Sequence, residues 1–163
     1  MSHSKNSVME LEFSKKYTSA KSLRYFEKHH SSLRRKVTTW REVAIAKKAL
    51  KIAGNPKSVL DLPCGAGRFW KMLAQPPRTW LLAADLSEHM LEVAESYQAP
   101  EIVEHFQLFQ SSAFDIQMVD NSVDNIFCMR LMHHIVESED RLKILREFYR
   151  VTSDTVCLSM WVD

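Results

Sequence analysis

Ser58-Val59-Leu60-Asp61-Leu62-Pro63-Cys64-Gly65-Ala66-Gly67-Arg68-Phe69-Trp70 decides how this chain is read. An apolar run, Val59-Leu60 and Leu62, follows the breakers Gly54-Asn55-Pro56, as a buried strand would. Gly65 and Gly67, two of only three glycines in the chain, then make a turn. Arg68 to Ala74 is compatible with a helix, stopped by Pro76-Pro77. Strand, glycine turn and helix form the first unit of a doubly wound α/β sheet, whose ligands lie at the carboxyl ends of the strands.

The residues of the turn say which ligand suits it. A dinucleotide-binding turn carries a third glycine for close helix–strand packing, and here Trp70 stands in its place. Asp61, at the strand tip, would repel a pyrophosphate and suit an ammonium or a sulfonium. The charge pattern therefore favours a cationic nucleoside without phosphate over NAD. A second apolar strand, Thr79 to Ala84, ends at Asp85, which lies 20 residues beyond Gly65. At that offset an acid can accept hydrogen bonds from ribose hydroxyls. Ser87 is placed to cap a helix running to about Tyr97, with Met90, Leu91 and Ala94 facing inward.

Asp61-Leu62-Pro63-Cys64-Gly65-Ala66-Gly67-Arg68 resembles motif I, D-x-G-x-G-x-G, of the class I S-adenosylmethionine-dependent methyltransferases, with Pro63 at the first glycine. Further along, Ser111 to Ile116 with Asp120-Asn121-Ser122-Val123-Asp124 resembles the family's G-D-A … D-x-S-F-D segment, and Leu131-Met132-His133-His134 its L-H-H-L. The resemblance covers roughly residues 58–150. It implies a Rossmann-like, mostly parallel sheet that binds S-adenosylmethionine and releases S-adenosylhomocysteine. It further implies that Asp61 orients the methionine part while Gly65 to Gly67 admit it, with Pro63, Cys64, Ala66 and Arg68 completing the loop. Asp85 would hold the ribose, and Leu86 and Met90 would flank the adenine. The family's adenine-binding Asp is replaced by Ser112, beside the backbone N–H groups of Ala113 and Phe114. Met129, Arg130 and His134 would line the floor of the methyl-transfer pocket. For His133 and His134, packing against the cofactor competes with a general-base role; metal binding lacks a partner at ligand spacing. No residue is assigned as catalytic.

The remaining strands are expected at His105–Gln110, Asn125–Met129 and Val156–Val162, with a helix begun by Ser138 whose inner face is Leu142, Leu145 and Phe148-Tyr149. Upstream, Leu23, Phe26, His30, Leu33 and Val37 predict a helix over about Ser19 to Lys36. Thr39 with Glu42 reads as a capping box opening another helix, whose buried stripe is Val43, Ala46, Leu50 and Ala53. Residues 1–57 thus form a helical arm and residues 58–163 the cofactor-binding domain. Tyr17, Tyr25 or Arg41 of the arm could reach the cofactor. The adjacent pair His29-His30 points in two directions on a helix and makes a poor chelate.

At 163 residues, 45% hydrophobic and 26% charged, the chain has the composition of one ordinary globular domain. It shows no membrane span and no signal-peptide pattern, so a cytoplasmic location is expected. Three cysteines without metal-site spacing, two of them in apolar runs, read as buried thiols. Residues 1–57 carry 14 Lys and Arg against 4 Asp and Glu, and residues 58–163 carry 8 against 16. The basic arm reads as a solvated helical surface packed on an acidic domain, or as a surface for nucleic acid, acidic lipid or an anionic substrate.

The resembled family adds two strands beyond the fifth, here without counterpart. The chain is therefore expected to be a fragment, or to cover the 156–162 edge by association with a second copy. Methyl transfer to a small-molecule acceptor is the favoured function. A binding protein without turnover, an RNA- or DNA-modifying methyltransferase using the arm, and a nicotinamide dehydrogenase are the alternatives.

Overall fold

The computed structural model describes residues 33–160, with side chains placed from Thr38 onward. Residues 19–32 of the predicted first helix, His29-His30, Tyr17, Tyr25 and the last residues of the predicted fifth strand lie outside the described residues, while residues 33–36 are helical. Five strands, β1 (Ser58–Asp61), β2 (Trp80–Asp85), β3 (Phe106–Gln110), β4 (Val123–Cys128) and β5 (Thr152–Leu158), form a single sheet in the order β3-β2-β1-β4-β5. Every pairing is parallel. The order turns back on itself between β1 and β4, which is the switch point where a doubly wound sheet opens its crevice.

Alternation along the strands sorts the core onto two faces. Val59, Leu81, Ala83 and Phe127 point into one cluster with Ala46 and Leu50 of helix α1 (Leu33–Ile52), Trp70 and Leu73 of α2 (Trp70–Leu73), and Leu91 and Ala94 of α3 (Glu88–Tyr97). Leu60, Leu82, Ala84 and Ile126 point into the other, with Ile144, Phe148 and Val151 of α5 (Ser138–Val151). A short helix α4 (Pro100–Val103) and a 3-10 turn at Met132–His134 complete the elements among the described residues. Sheet residues buried on both faces explain why β1, β2 and β4 are apolar runs rather than alternating ones.

Several boundaries differ from expectation, each for a tertiary reason. Thr39 does not open a helix: α1 is continuous from Leu33 to Ile52, and Thr39 lies within it. The Thr39 hydroxyl accepts a hydrogen bond from Arg68 Nη2 at 2.7 Å, and Glu42 pairs with the same nitrogen at 2.8 Å. The side chains that mimic a capping box thus serve a contact to the glycine loop. The helix after that loop is only four residues long, Trp70–Leu73, not Arg68 to Ala74. Ser138 is the first residue of α5 and Glu137 its N-cap. Leu142, Leu145 and Tyr149 are exposed, because Ile144, Phe148 and Val151, at helical spacing, take the sheet-facing stripe. The fifth strand starts at Thr152 and ends at Leu158 rather than spanning 156–162. Buried Asn125 draws the polar segment in, donating to the Thr155 carbonyl at 3.1 Å and to its hydroxyl at 2.8 Å across a bulge. At the start of β1, Asp124 accepts the Lys57 and Ser58 N–H groups at 2.8 and 2.9 Å, fixing β1 against β4.

Candidate functional site

The carboxyl ends of β1 and β2 bring together the residues singled out by charge and spacing. β1 ends on Asp61, and Leu62 continues it by donating its N–H to the Phe127 carbonyl at 3.0 Å. Cys64 donates its N–H to the Ala84 carbonyl at 2.9 Å, so the loop is sewn to β4 on one side and β2 on the other. Gly65 then donates its N–H to Asp85 Oδ2 at 3.0 Å, and Ser87 donates to Asp85 Oδ1 at 3.0 Å. Ser87 is the N-cap of α3 by backbone position, but its side chain makes no capping hydrogen bond. Asp85 retains further acceptor capacity on both oxygens.

The two glycines have different jobs. A Cβ on Gly65, whose φ is +53°, would meet nothing nearer than Met90 Cε at 3.8 Å, so a ligand can approach this backbone closely. A Cβ on Gly67 would lie 2.7 Å from the Trp70 ring. Gly67 therefore makes room for Trp70, which is fully buried and stacked on Phe106 with centroids 4.6 Å apart. Close packing between loop and helix is achieved by the second glycine, with tryptophan where a dinucleotide-binding protein has its third. Gln98, which no local pattern singles out, braces the turn by donating to the Ala66 carbonyl at 2.8 Å.

The electrostatics centre on Asp61. It is buried, and neither carboxylate oxygen has a hydrogen-bond partner among the described residues. Burial pushes its pKa well up and the Asp85 charge adds to the shift, while the Trp70 indole partly offsets it without reaching full hydrogen-bond geometry. Burial also raises Asp85, held back by the backbone N–H groups of Ser87, Gly65 and Leu86. An orphaned buried carboxylate is costly alone, and a cation beside it would remove that cost. The site thus fits a ligand carrying positive charge near the β1 tip and hydroxyls near the β2 tip. Cys64 and Cys128 are buried thiols with raised pKa values, from burial and then Asp61 in each case, which disfavours the nucleophilic thiolate.

The other predicted site residues are dispersed around this centre. Leu86 is partly buried and its carbonyl accepts from Gln110 Nε2 at 2.8 Å. Ser112, Ala113 and Phe114 lie partly buried in the loop after β3, where the Phe114 N–H is committed to Ser112 Oγ at 3.1 Å. Arg68 is directed to α1 through Thr39 and Glu42. Met129 packs on the core beyond β4, and Arg130 adopts φ +65° while donating its N–H to Ser159 Oγ at 2.8 Å. His134 is exposed, its ring 4.0 Å from that of His133. Burial and then the Arg130 charge lower the His133 pKa.

Residues 59–155 match the family described as Methyltransferase domain. The chain belongs to the methyltransferase domain family. Its matched segment runs from β1 into β5 and contains every residue of the β1 and β2 tips described above. A demethylmenaquinone methyltransferase of Lactococcus lactis subsp. lactis is 28% identical over 96 residues, 58% of this chain and 37% of that protein. The chain thus spans well under half the length of that curated relative. A SAM-dependent methyltransferase from Aquifex aeolicus is 29% identical with a TM-score of 0.52, over 66% of this chain and 57% of the other. Magnesium protoporphyrin IX methyltransferase from Synechocystis PCC 6803, solved with bound SAH, superposes with a TM-score of 0.72 over 91% of this chain and 70% of the other, at 17% identity. The last of these likenesses is one of fold.

Proposed function

We propose that this methyltransferase domain binds S-adenosylmethionine across the tips of β1 and β2 and transfers its methyl group to a small-molecule acceptor. The observation that carries the reading is the orphaned buried carboxylate of Asp61, next to a glycine turn open to a ligand and tied to Asp85. When bound, S-adenosylmethionine supplies a methyl group already activated by a sulfonium sulfur. Asp61 balances the positive charge of its methionine end. Gly65 lets that end lie against the backbone, and Asp85 accepts hydrogen bonds from the ribose hydroxyls while remaining fixed by Gly65 and Ser87. Leu86 and Met90 offer apolar surface to the adenine, and Ala113 is the loop's expected N–H donor, since that of Phe114 is engaged. Positioning is the main contribution asked of the protein, because alignment of two held reactants lowers the barrier by itself. The small-molecule acceptor is supported by the demethylmenaquinone and magnesium protoporphyrin names among similar proteins.

Calorimetry with S-adenosylhomocysteine, S-adenosylmethionine and NAD tests this. Binding of the first two in the micromolar range, about −8 kcal/mol, with no heat from NAD, is expected. Binding of NAD alone would overturn the reading.

A further inference from the structure

The loop from Ser111 to Ser122 is held at both ends and carries the segment assigned above to the adenine. At its start, Ser111 donates its N–H to the Asp85 carbonyl at 3.1 Å. At its far side, the Arg150 guanidinium of α5 reaches across 34 residues of sequence to donate from Nη2 to the Ile116 carbonyl at 2.9 Å. Its Nη1 donates to the Met118 carbonyl at 2.7 Å and to Asp120 Oδ1 at 2.8 Å. Glu147, one turn earlier, accepts from Arg150 Nε at 3.0 Å and from Nη2. Glu147 Oε1 also accepts the Ile116 N–H at 2.9 Å. The backbone closes the clamp, since Asn121 and Ser122 donate to the Arg150 and Val151 carbonyls at 2.9 and 2.8 Å. Ser112 to Asp115 are left as the short span between Ser111 and Ile116, folded on itself by Phe114 N–H to Ser112 Oγ and Asp115 N–H to the Ser112 carbonyl.

We infer that Arg150, with Glu147, is a positioning residue for recognition of the cofactor's purine, acting through the loop that holds Ser112 to Phe114. The guanidinium fork fits this task because its donors are fixed in one plane and satisfy two loop carbonyls and two carboxylates at once. The charge balance fits as well: hydrogen bonding to Arg150 is the main cause that holds the Glu147 pKa low. A solvent-facing arginine on an amphipathic helix would show a single flexible ion pair instead. The inference rests on the cofactor reading above and adds to it which residue sets the purine-facing edge.

The test compares S-adenosylhomocysteine with S-inosylhomocysteine, in which a carbonyl replaces the purine amino group. Affinities are measured by calorimetry on the full chain, for the natural sequence and for Arg150→Ala, Arg150→Lys and Glu147→Gln. The natural sequence should prefer the adenosyl compound by about tenfold or more, as sites with fixed hydrogen-bonding groups do. Arg150→Ala should lose most of that preference, and Arg150→Lys part of it, because an ammonium cannot span both carbonyls. Glu147→Gln, which keeps a carbonyl oxygen for Ile116, should lose less than Arg150→Ala. If Arg150→Ala does not fold, the lysine variant reads the same ratio. A drop in both affinities with the ratio unchanged would overturn the inference, since lost stability alone weakens both ligands alike. Absence of any preference in the natural sequence would overturn it too. Failure of the natural sequence to bind either compound would instead remove the cofactor reading, and this inference with it.

Discussion

The N–H of Gly65 donates to Asp85 Oδ2 at 3.0 Å, joining the turn after β1 to the acid that closes β2. One bond thereby fixes the two groups that a nucleoside ligand must meet together: a backbone with room beside it and a charged acceptor. Because Ser87 occupies the other Asp85 oxygen, the carboxylate plane is set before any ligand arrives. That is preorganisation of the kind that lowers the cost of binding.

Replacing Asp85 should therefore damage affinity and fold separately. Asp85→Asn is expected to weaken S-adenosylhomocysteine about 10- to 100-fold, the loss of a hydrogen bond to a charged group. Asp85→Ala leaves two partly buried N–H groups without their acceptor and should in addition cost about 1 to 3 kcal/mol of stability. Calorimetry and urea unfolding without ligand separate the two effects. Unchanged affinity in Asp85→Asn would take Asp85 out of the site.

The glycines should divide in the same way. Gly67→Ala drives a methyl into the Trp70 ring at a positive φ of +71°, and should cost about 3 kcal/mol of stability. Gly65→Ala meets no neighbour closer than 3.8 Å and pays only for its left-handed backbone, about 1 kcal/mol. Its larger effect should be on ligand affinity, where the added methyl stands in the way. Chemical denaturation of both variants, with calorimetry of Gly65→Ala, checks this; equal destabilisation by the two would contradict it.

The buried acid predicts a pH dependence with a definite sign. The Asp61 pKa is raised in the folded state by burial. The folded chain thus holds its proton to higher pH than the unfolded chain, whose carboxyl titrates near ~4. The stability contribution is fully present below that value and is lost as pH rises through the raised folded pKa. Asp61→Asn should accordingly unfold at higher urea than the natural sequence at pH 8 without ligand, with the gap closing toward pH 4. The same variant should bind S-adenosylhomocysteine more weakly, having lost the charge that meets its ammonium. A variant less stable than the natural sequence at pH 8 would show that the carboxylate is already satisfied.

The sheet and the site centre were legible because their signals are local. Val59-Leu60, Leu81-Leu82 and Ile126-Phe127 are buried on alternate faces, so each strand reads as an apolar run, and Gly65 and Asp85 declare themselves by spacing. What was missed depends on partners far away in sequence. Thr39 and Glu42 satisfy a local capping pattern, yet both side chains are taken by Arg68, 29 residues from Thr39. Polar Thr152 to Thr155 join β5 because Asn125 supplies hydrogen bonds from β4. Leu142, Leu145 and Tyr149 looked like an inner face, but the helix phase is set by Ile144, Phe148 and Val151 against the sheet. Arg150 carried no signal at all, since an arginine on an amphipathic helix ordinarily faces water.

Three glycines make the central claim unusually direct to test. Labelled with 15N at glycine alone, the chain gives three backbone amide signals, from Gly54 before β1 and from Gly65 and Gly67 in the turn after it. Titration with S-adenosylhomocysteine should shift Gly65 strongly and Gly67 less, and leave Gly54 in place. A saturating titration that leaves Gly65 unmoved would contradict the account.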